Sequence, residues 1–323
     1  MWAPDTQPSK CPLRLVTHGT NPVTTPVTIA LVANPAAGRG RGARAIARAE
    51  SALANVGSVR VFPTRGPGDE RARALEAAET GARCIAVLGG DGTWGNAAGA
   101  LAARGVTTPV ALLAGGTGND FAKSIDLPAA DYPAVARLVA EGATRRVDLG
   151  AVDDRPFLNC AGFGFDAVVC EALATPTRLR GPVVYVATAL RELLVYRGLD
   201  VAIDGAERAR RLMLVFSNGR WFGGTFRIAP AADVGDGRLD VSVYGDVRGL
   251  ARVPLFARAM RGAHLDHPAV TAWRAEETRL LFDAPPVFEA DGEFARAAGR
   301  EVVVRTWPAA LTLVAPPAPV ART

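Results

Sequence analysis

Three glycine-rich segments carry the residues best suited to chemistry: 34–40 (NPAAGRG), 89–93 (GGDGT) and 114–120 (AGGTGND). Each follows a short apolar run of the kind that forms a buried parallel strand. In a parallel sheet the strand ends converge on one edge, where open α/β folds bind their ligands. Glycine lets backbone N–H groups approach a polyanion, and each loop leads into a helix start or a turn that favours negative charge. Any one of these loops is equally well read as a tight turn. Three at one edge read as a phosphate cradle.

Absences narrow the chemistry. No GxxxxGK[ST] occurs, so this is not a P-loop. Gly38-x-Gly40-x-x-Ala43 matches the dinucleotide fingerprint, but the second strand ends VRVFPT, without an acid to hold a ribose hydroxyl. A second match, Gly162-x-Gly164-x-x-Ala167, lies in a β-rich context that is wrong for that fold. Oxidoreductase chemistry is set aside. Carboxylates stand in or near the loops: Asp91 inside GGDGT, Asp120 at the end of the third loop, and Asp148 after TRRV. The usual place of an Asp is solvated surface. Beside a bound polyphosphate such charges need a counter-ion, and Mg²⁺ is the hard cation that bridges carboxylates to phosphates.

The elements that must position these groups follow from periodicity. Strands are expected at 27–33, 59–62, 84–88 and 110–113, with helices at 42–55, 69–80 and 94–103 between them. That order predicts a doubly wound parallel sheet. Beyond Asp148 the pattern alternates apolar and polar, as in RLDVSVY at 238–244, and similar runs at 208–217, 269–273 and 300–307 predict half-solvated antiparallel strands. Helical interludes are expected near 183–197 and 247–262. The expected division is a leader at 1–26, a nucleotide-binding α/β domain at 27–148, a β-rich substrate domain at 149–315 whose last segment packs back on the first, and a Pro-rich tail at 316–323.

Of 323 residues, 49% are hydrophobic and 21% charged, the composition of a folded globular chain. Four cysteines without CxxC spacing and three histidines argue against a disulfide scaffold, a zinc module or a histidine metal centre. The net charge of +5 is spread along the chain, which does not suit nucleic acid. The longest apolar run, near 182–190, is shorter than the roughly 20 residues of a spanning helix, so a cytoplasmic protein is expected.

GGDGT, then GGTGNDFAKSIDLP and VDLG, resembles the catalytic domain shared by diacylglycerol, sphingosine and ceramide kinases, most closely the bacterial soluble lipid-kinase branch. The likeness continues through NCAGFGFDA at 159–167, SNGRWFGGTFRIAPAADVGDGRLDV at 217–241, EADGEF at 289–294 and a closing WPAALTLVAP. It implies an NAD-kinase- or phosphofructokinase-like α/β doubly wound domain, then a mainly antiparallel β-sandwich with a few helices. It implies an ATP- and Mg²⁺-dependent lipid kinase, with diacylglycerol converted to phosphatidic acid as the expected reaction. Carried over by position, Asn34, Thr64, Gly89, Gly90, Asp91, Gly92, Thr93, Gly116, Thr117 and Asn119 would contact ATP. Asp291, in the DGE triplet, would be the general base, with Glu293 its companion. Asp91, Asp120 and Asp148 would form an acidic Mg²⁺ network, and Asp233, Asp236 and Arg238 a second metal turn using backbone carbonyls.

Without the resemblance, Asp291 reads as a turn residue in an Asp-Gly hairpin. Where the family commonly continues GGDGT with a small apolar residue and Asn-Glu, this chain has Trp94-Gly95-Asn96, which leaves one metal or capping contact open. Trp221-Phe222 would line an acyl slot, insert at a membrane interface, or sit in the core. The expected partners are ATP, a lipid alcohol and, peripherally, the inner face of the membrane; a homodimer is left open. Two rival readings are a soluble small-molecule kinase such as an NAD kinase and a catalytically silent lipid- or nucleotide-binding protein.

Overall fold

The computed structural model describes residues 29–35, 42–116, 118–174 and 195–317. The expected leader, most of the tail, much of the first glycine loop, Thr117 and most of the interlude near 183–197 lie outside them.

The first lobe is built on four parallel strands: β1 (Ile29–Ala33), β2 (Val59–Pro63), β3 (Cys84–Gly89) and β4 (Val110–Ala114). They lie side by side in the order β4-β3-β1-β2. β1, β3 and the first four residues of β4 are buried because helices cover both faces, so their sequences are continuous apolar runs. The helices are α1 (Gly42–Ala54), α2 (Asp69–Glu79), α3 (Asp91–Ala103), α4 (Asp120–Ser124) and α5 (Tyr132–Glu141). α5 is delimited at both ends: the Asp131 side chain accepts the Ala134 amide at 3.0 Å, and Gly142 closes it at φ 67°. One core packs Ala30, Val32, Val87, Trp94 and Leu112 together, and another gathers Ile29, Leu31, Leu53, Ala86 and Val135 on the opposite sheet face.

The second lobe is mainly antiparallel. β5 (Thr144–Val152), β6 (Arg155–Phe157) and β7 (Cys160–Gly164) lead into α6 (Phe165–Ala174). There follow β8 (Leu199–Ile203), β9 (Ala209–Ser217) and β10 (Leu239–Gly245), then a 3₁₀ turn (Gly249–Ala251) and α7 (Arg252–Ala259). The last strands are β11 (Val270–Ala275), β12 (Glu277–Phe282), β13 (Val287–Ala290), β14 (Glu293–Arg296) and β15 (Glu301–Val314). Phe163, Phe216, Phe282 and Phe288 stack within the sandwich interior.

The two lobes share strands. β15 pairs with β12 and β5, then meets β4 in parallel through Leu313 and Val110. Its register shifts between Trp307 and Leu311, where Ala309 takes φ 46°. Helix α3 begins at Asp91 rather than at Trp94, because GGDGT itself makes its first turn: the Trp94 amide donates to the Gly90 carbonyl at 2.9 Å.

Candidate active site

The carboxyl ends of β1 to β4 gather most of the expected nucleotide contacts. Asn34 follows β1, and Thr64 follows β2 with its amide on the Ala33 carbonyl at 2.9 Å. Thr64 Oγ1 is buried without a partner among the described residues. Gly89 ends β3, Gly90 caps α3, and Asp91, Gly92 and Thr93 form its first turn. The third loop lies against the second: the amides of Gly115 and Gly116 both donate to the Gly89 carbonyl, at 2.7 and 3.2 Å. A Cβ on Gly116 would stand 2.7 Å from Gly90 Cα, so this contact requires glycine. Asn119, in the left-handed region at φ 53°, turns the chain into α4 and donates to the Gly116 carbonyl.

Asp291 reaches this edge from the second lobe. With Gly292 it forms a two-residue turn between β13 and β14, at φ 52° and 85°, the left-handed pair that a two-residue hairpin of this kind demands. The hairpin reading is therefore correct, and the same turn brings the carboxyl to the edge where the site reading expects it. The carboxyl is buried and accepts three amides: Leu158 on Oδ2 at 2.7 Å, and Asn159 and Cys160 on Oδ1 at 2.8 and 3.2 Å. Burial, joined by the charge of Asp91, raises its pKa against the pull of those amides to about 7. It rests on α3 at Gly95, where a Cβ would come within 1.9 Å of Oδ2. The departure from Asn to Gly at this position is thus what admits the carboxyl.

Asn96, the second departure, joins three side chains. Its Nδ2 donates to Glu70 Oε1 at 2.6 Å and to both Glu293 oxygens at 3.1 Å, and its Oδ1 accepts from Arg71. Arg155 also reaches Glu293, at 3.3 Å. Glu70, nearly inaccessible on α2, supplies a carboxylate to the place where this chain has Asn in the motif. Sequence reasoning missed Glu70, Gly95, Asn96, Arg155 and the amides of 158–160. The departure at 94–96 was the available signal for the second and third.

The acidic residues divide. Asp91 accepts the Phe121 amide at 3.3 Å through Oδ1, and its Oδ2 lies where a Cβ on Gly118 would be 2.8 Å away. Burial first, then the charge of Asp120, raises its pKa. Asp120 is held by Lys123 Nζ at 2.8 Å on Oδ1 and by the Gly224 amide at 2.7 Å on Oδ2. Lys123 also donates to the Gly224 carbonyl, so this pair latches the 222–226 hairpin of the second lobe onto α4. Asp148 does not complete a metal triad with them: its two oxygens accept the amides of Gly237 and Ala309 at 2.7 and 2.6 Å. Among the described residues no three Asp, Glu, Cys or His side chains form a metal cluster.

The expected second metal turn is closed by protein groups. Asp233 accepts the Gly235 amide, Asp236 accepts the Arg238 amide, and Arg274 lies 3.4 Å from the other Asp236 oxygen. Protein groups thus meet one oxygen of Asp233 and both of Asp236, and no ion is assigned there. Trp221 and Phe222 face the lobe junction. The Trp221 carbonyl accepts from Asn159, Phe222 packs partly buried against an apolar cluster, and a cleft of about 790 Å³ opens between Trp221, Arg220, Lys123 and the third loop.

Residues 28–152 match the diacylglycerol kinase catalytic domain, and residues 159–315 match the YegS C-terminal NAD kinase beta sandwich-like domain. A diacylglycerol kinase of Mycobacterium tuberculosis is 32% identical over 299 residues, covering 89% of this chain and 95% of that protein. A probable lipid kinase YegS-like of Pseudomonas aeruginosa is 36% identical over 180 residues, 54% of this chain and 59% of its own length. The fold is similar to that of a diacylglycerol kinase crystal structure from Bacillus anthracis str. Sterne, with a TM-score of 0.70 at 22% identity, covering 90% of this chain and 97% of that one. An α/β lobe with glycine loops at one strand edge, a β-sandwich that turns one buried carboxyl toward it, and these likenesses together establish that the chain belongs to the diacylglycerol kinase catalytic-domain family, in its bacterial lipid-kinase branch.

Proposed function

We propose that this protein transfers the γ-phosphoryl group of ATP to the hydroxyl of a membrane lipid, diacylglycerol being the acceptor that gives phosphatidic acid. The observation that carries this reading is the seating of the Asp291 carboxyl on Gly95, one turn into the helix whose first residues form the GGDGT loop. A base on that spot faces both the nucleotide edge and an acceptor entering between the lobes. Its Oδ2 accepts a single amide and keeps a lone pair for the substrate's hydroxyl proton. With a pKa near 7 it is poised to take that proton at neutral pH, a role worth typically 10²–10⁴-fold. The loop amides and the α3 N-terminus favour the triphosphate's charge and fix its direction of attack.

Asp91 fits a divalent cation, since burial and Asp120 raise its proton affinity and a bound cation would relieve both. Mg²⁺ held there would neutralise phosphate charge as it redistributes during transfer. Asp120 already carries the Lys123 ammonium and would take part through its charge alone.

No helix among the described residues is long and apolar enough to cross a membrane. Leu250, Val253, Met260 and Leu265 are nonetheless exposed within one short stretch around α7, Leu250 at 75%, beside exposed Arg258 and Arg261. This face supports peripheral contact with an anionic bilayer. The central experiment incubates wild type and Asp291→Asn with labelled ATP and a panel of diacylglycerol, sphingoid base, ceramide and polyprenol, then separates organic from aqueous label. Wild type labels diacylglycerol, and the variant binds ATP without transfer. Transfer by the variant near the wild-type rate would remove Asp291 as base, and label confined to the aqueous phase would remove the lipid acceptor.

A further inference from the structure

Behind Asp291 lies a pair of acids that the phosphoryl-transfer reading does not use. Glu289 stands on β13 with no accessible surface, opposite Gly162 on β7. Its Oε2 accepts the Gly292 amide at 2.8 Å, which ties strand to turn across the residue that carries the base. Its Oε1 lies 3.8 Å from the Cys160 sulfur. Asp166, in the first turn of α6, occupies the space that a side chain on Gly162 would fill: a Cβ there would be 1.5 Å from Asp166 Oδ2. Among the described residues the buried Asp166 oxygens have no side-chain donor; only the amides of Asp166 and Ala167 at the start of α6 favour its charged form.

Two carboxyls packed over one glycine, out of water and without a cation, cannot both be ionised. The Asp166 oxygens need a side-chain donor. The other titratable groups that act on this pair are Asp291 from the β13–β14 turn, Cys160 from β7, Cys170 from α6, Tyr196 before β8 and Tyr244 on β10. Tyr244 Oη is itself without a partner among the described residues, and burial pushes both thiols and both phenols further toward their neutral forms. None supplies a positive charge. Burial, then the charge of Asp166, drives the Glu289 pKa far up, and the charge of Asp291 adds to it, so Glu289 is the acid that keeps its proton while Asp291 is ionised.

We propose that Glu289 is a neutral carboxylic acid that positions Asp291, accepting the Gly292 amide on one oxygen and donating its own proton toward the Asp166 carboxylate. The proposal rests on Asp291 being the base. Glu289 does not touch substrate; through the Gly292 amide it holds the second residue of the left-handed Asp291–Gly292 turn, whose first residue is anchored by the amides of 158–160 and by its own amide on the Cys160 carbonyl. A permanently neutral side chain also leaves the titration of Asp291 undisturbed, which an adjacent carboxylate would not.

The test compares Glu289→Ala, Glu289→Gln and Asp166→Asn in the full-length protein, with Asp291→Asn as control. Glutamine can accept the Gly292 amide and donate to Asp166 without ever carrying charge; alanine can do neither. Expected for Glu289→Ala is a fall in kcat of about 20-fold or more with the KM for ATP within about twofold. Glu289→Gln should rescue most of that loss, with the acid limb of kcat/KM against pH in the same place as in wild type. Asp166→Asn should fall between them, because the amide can still pair with Glu289. If Glu289→Ala keeps its kcat, or Gln rescues nothing, the proposal is overturned. If the Ala variant does not fold, the Gln variant decides: an unmoved acid limb supports a neutral acid, and a limb displaced to lower pH shows that Glu289 was an anion. Full transfer by Asp291→Asn would instead refute the base assignment, whatever the Glu289 series gives.

Discussion

Gly95→Ala adds one methyl group at the point where the two lobes meet around the reacting hydroxyl. The new Cβ would lie 1.9 Å from Asp291 Oδ2, 2.9 Å from Cγ and 3.2 Å from Cβ. Contacts under 3.0 Å are essentially never seen for real Cβ atoms, so Oδ2 must retreat by at least about 1.1 Å. That oxygen accepts the Leu158 amide at 2.7 Å, a bond that cannot survive such a shift. Leaving the amide unpaired costs about 1–3 kcal/mol, while alanine in a helix interior returns about 1 kcal/mol. The net stability change is therefore at most about 2 kcal/mol. Activity should respond far more strongly, since a 1 Å misplacement of a reacting group can lower the rate about 10²-fold. The assay is initial-rate lipid phosphorylation across ATP concentrations, with thermal melts of the same preparations. The expected result is a loss of kcat near two orders of magnitude with the KM for ATP within about threefold. A variant that melts normally and retains kcat within threefold would refute the placement of Asp291 on α3.

Three further outcomes are expected. The raised Asp291 pKa means that folding holds this proton between about pH 4 and 7; its contribution to stability is present at low pH and lost as pH rises through 7, on the order of 4 kcal/mol in all. The Tm of Asp291→Asn minus that of wild type should therefore grow more positive from pH 4 to pH 8, and a constant difference would show an ordinary carboxylate. Asn96→Ala strands the buried Glu70 and should cost about 1–3 kcal/mol, or about 2–4 °C of Tm per kcal/mol, read in a melt at neutral pH; an unchanged Tm would show the four-residue network to be idle. EDTA should abolish transfer without moving the Tm, because amides and Arg274 already close the 233–238 turn; a large drop in Tm would place a structural ion there.

The parallel half was readable because each buried strand is an unbroken apolar run ending in glycine or a turn. The second and third loops meet for the same reason, as parallel strands share one edge. What could not be read is where chain segments distant in sequence satisfy one another. Asp148 has the type and position of a ligand, yet backbone amides from 237 and 309 fill its coordination. Trp94-Gly95-Asn96 left one metal or capping contact open. In three dimensions Trp94 is core, with its indole N–H on the Val87 carbonyl at 3.2 Å, Gly95 is clearance, and Asn96 answers an acid on another helix. Pro308 and Ala309 seemed to end a strand at Trp307, but the bulge they make lets β15 continue to Val314.

That continuation governs the order in which the molecule can be finished. The parallel sheet of the first lobe has β15 as the neighbour of β4, so the pairing of Val110 with Leu313 waits until about 200 later residues have left the ribosome. Because one uninterrupted ribbon serves both halves, the parallel lobe matures only together with the antiparallel one. A nascent fragment released early would hold its glycine loops beside a raw flank, prone to stick to its neighbours.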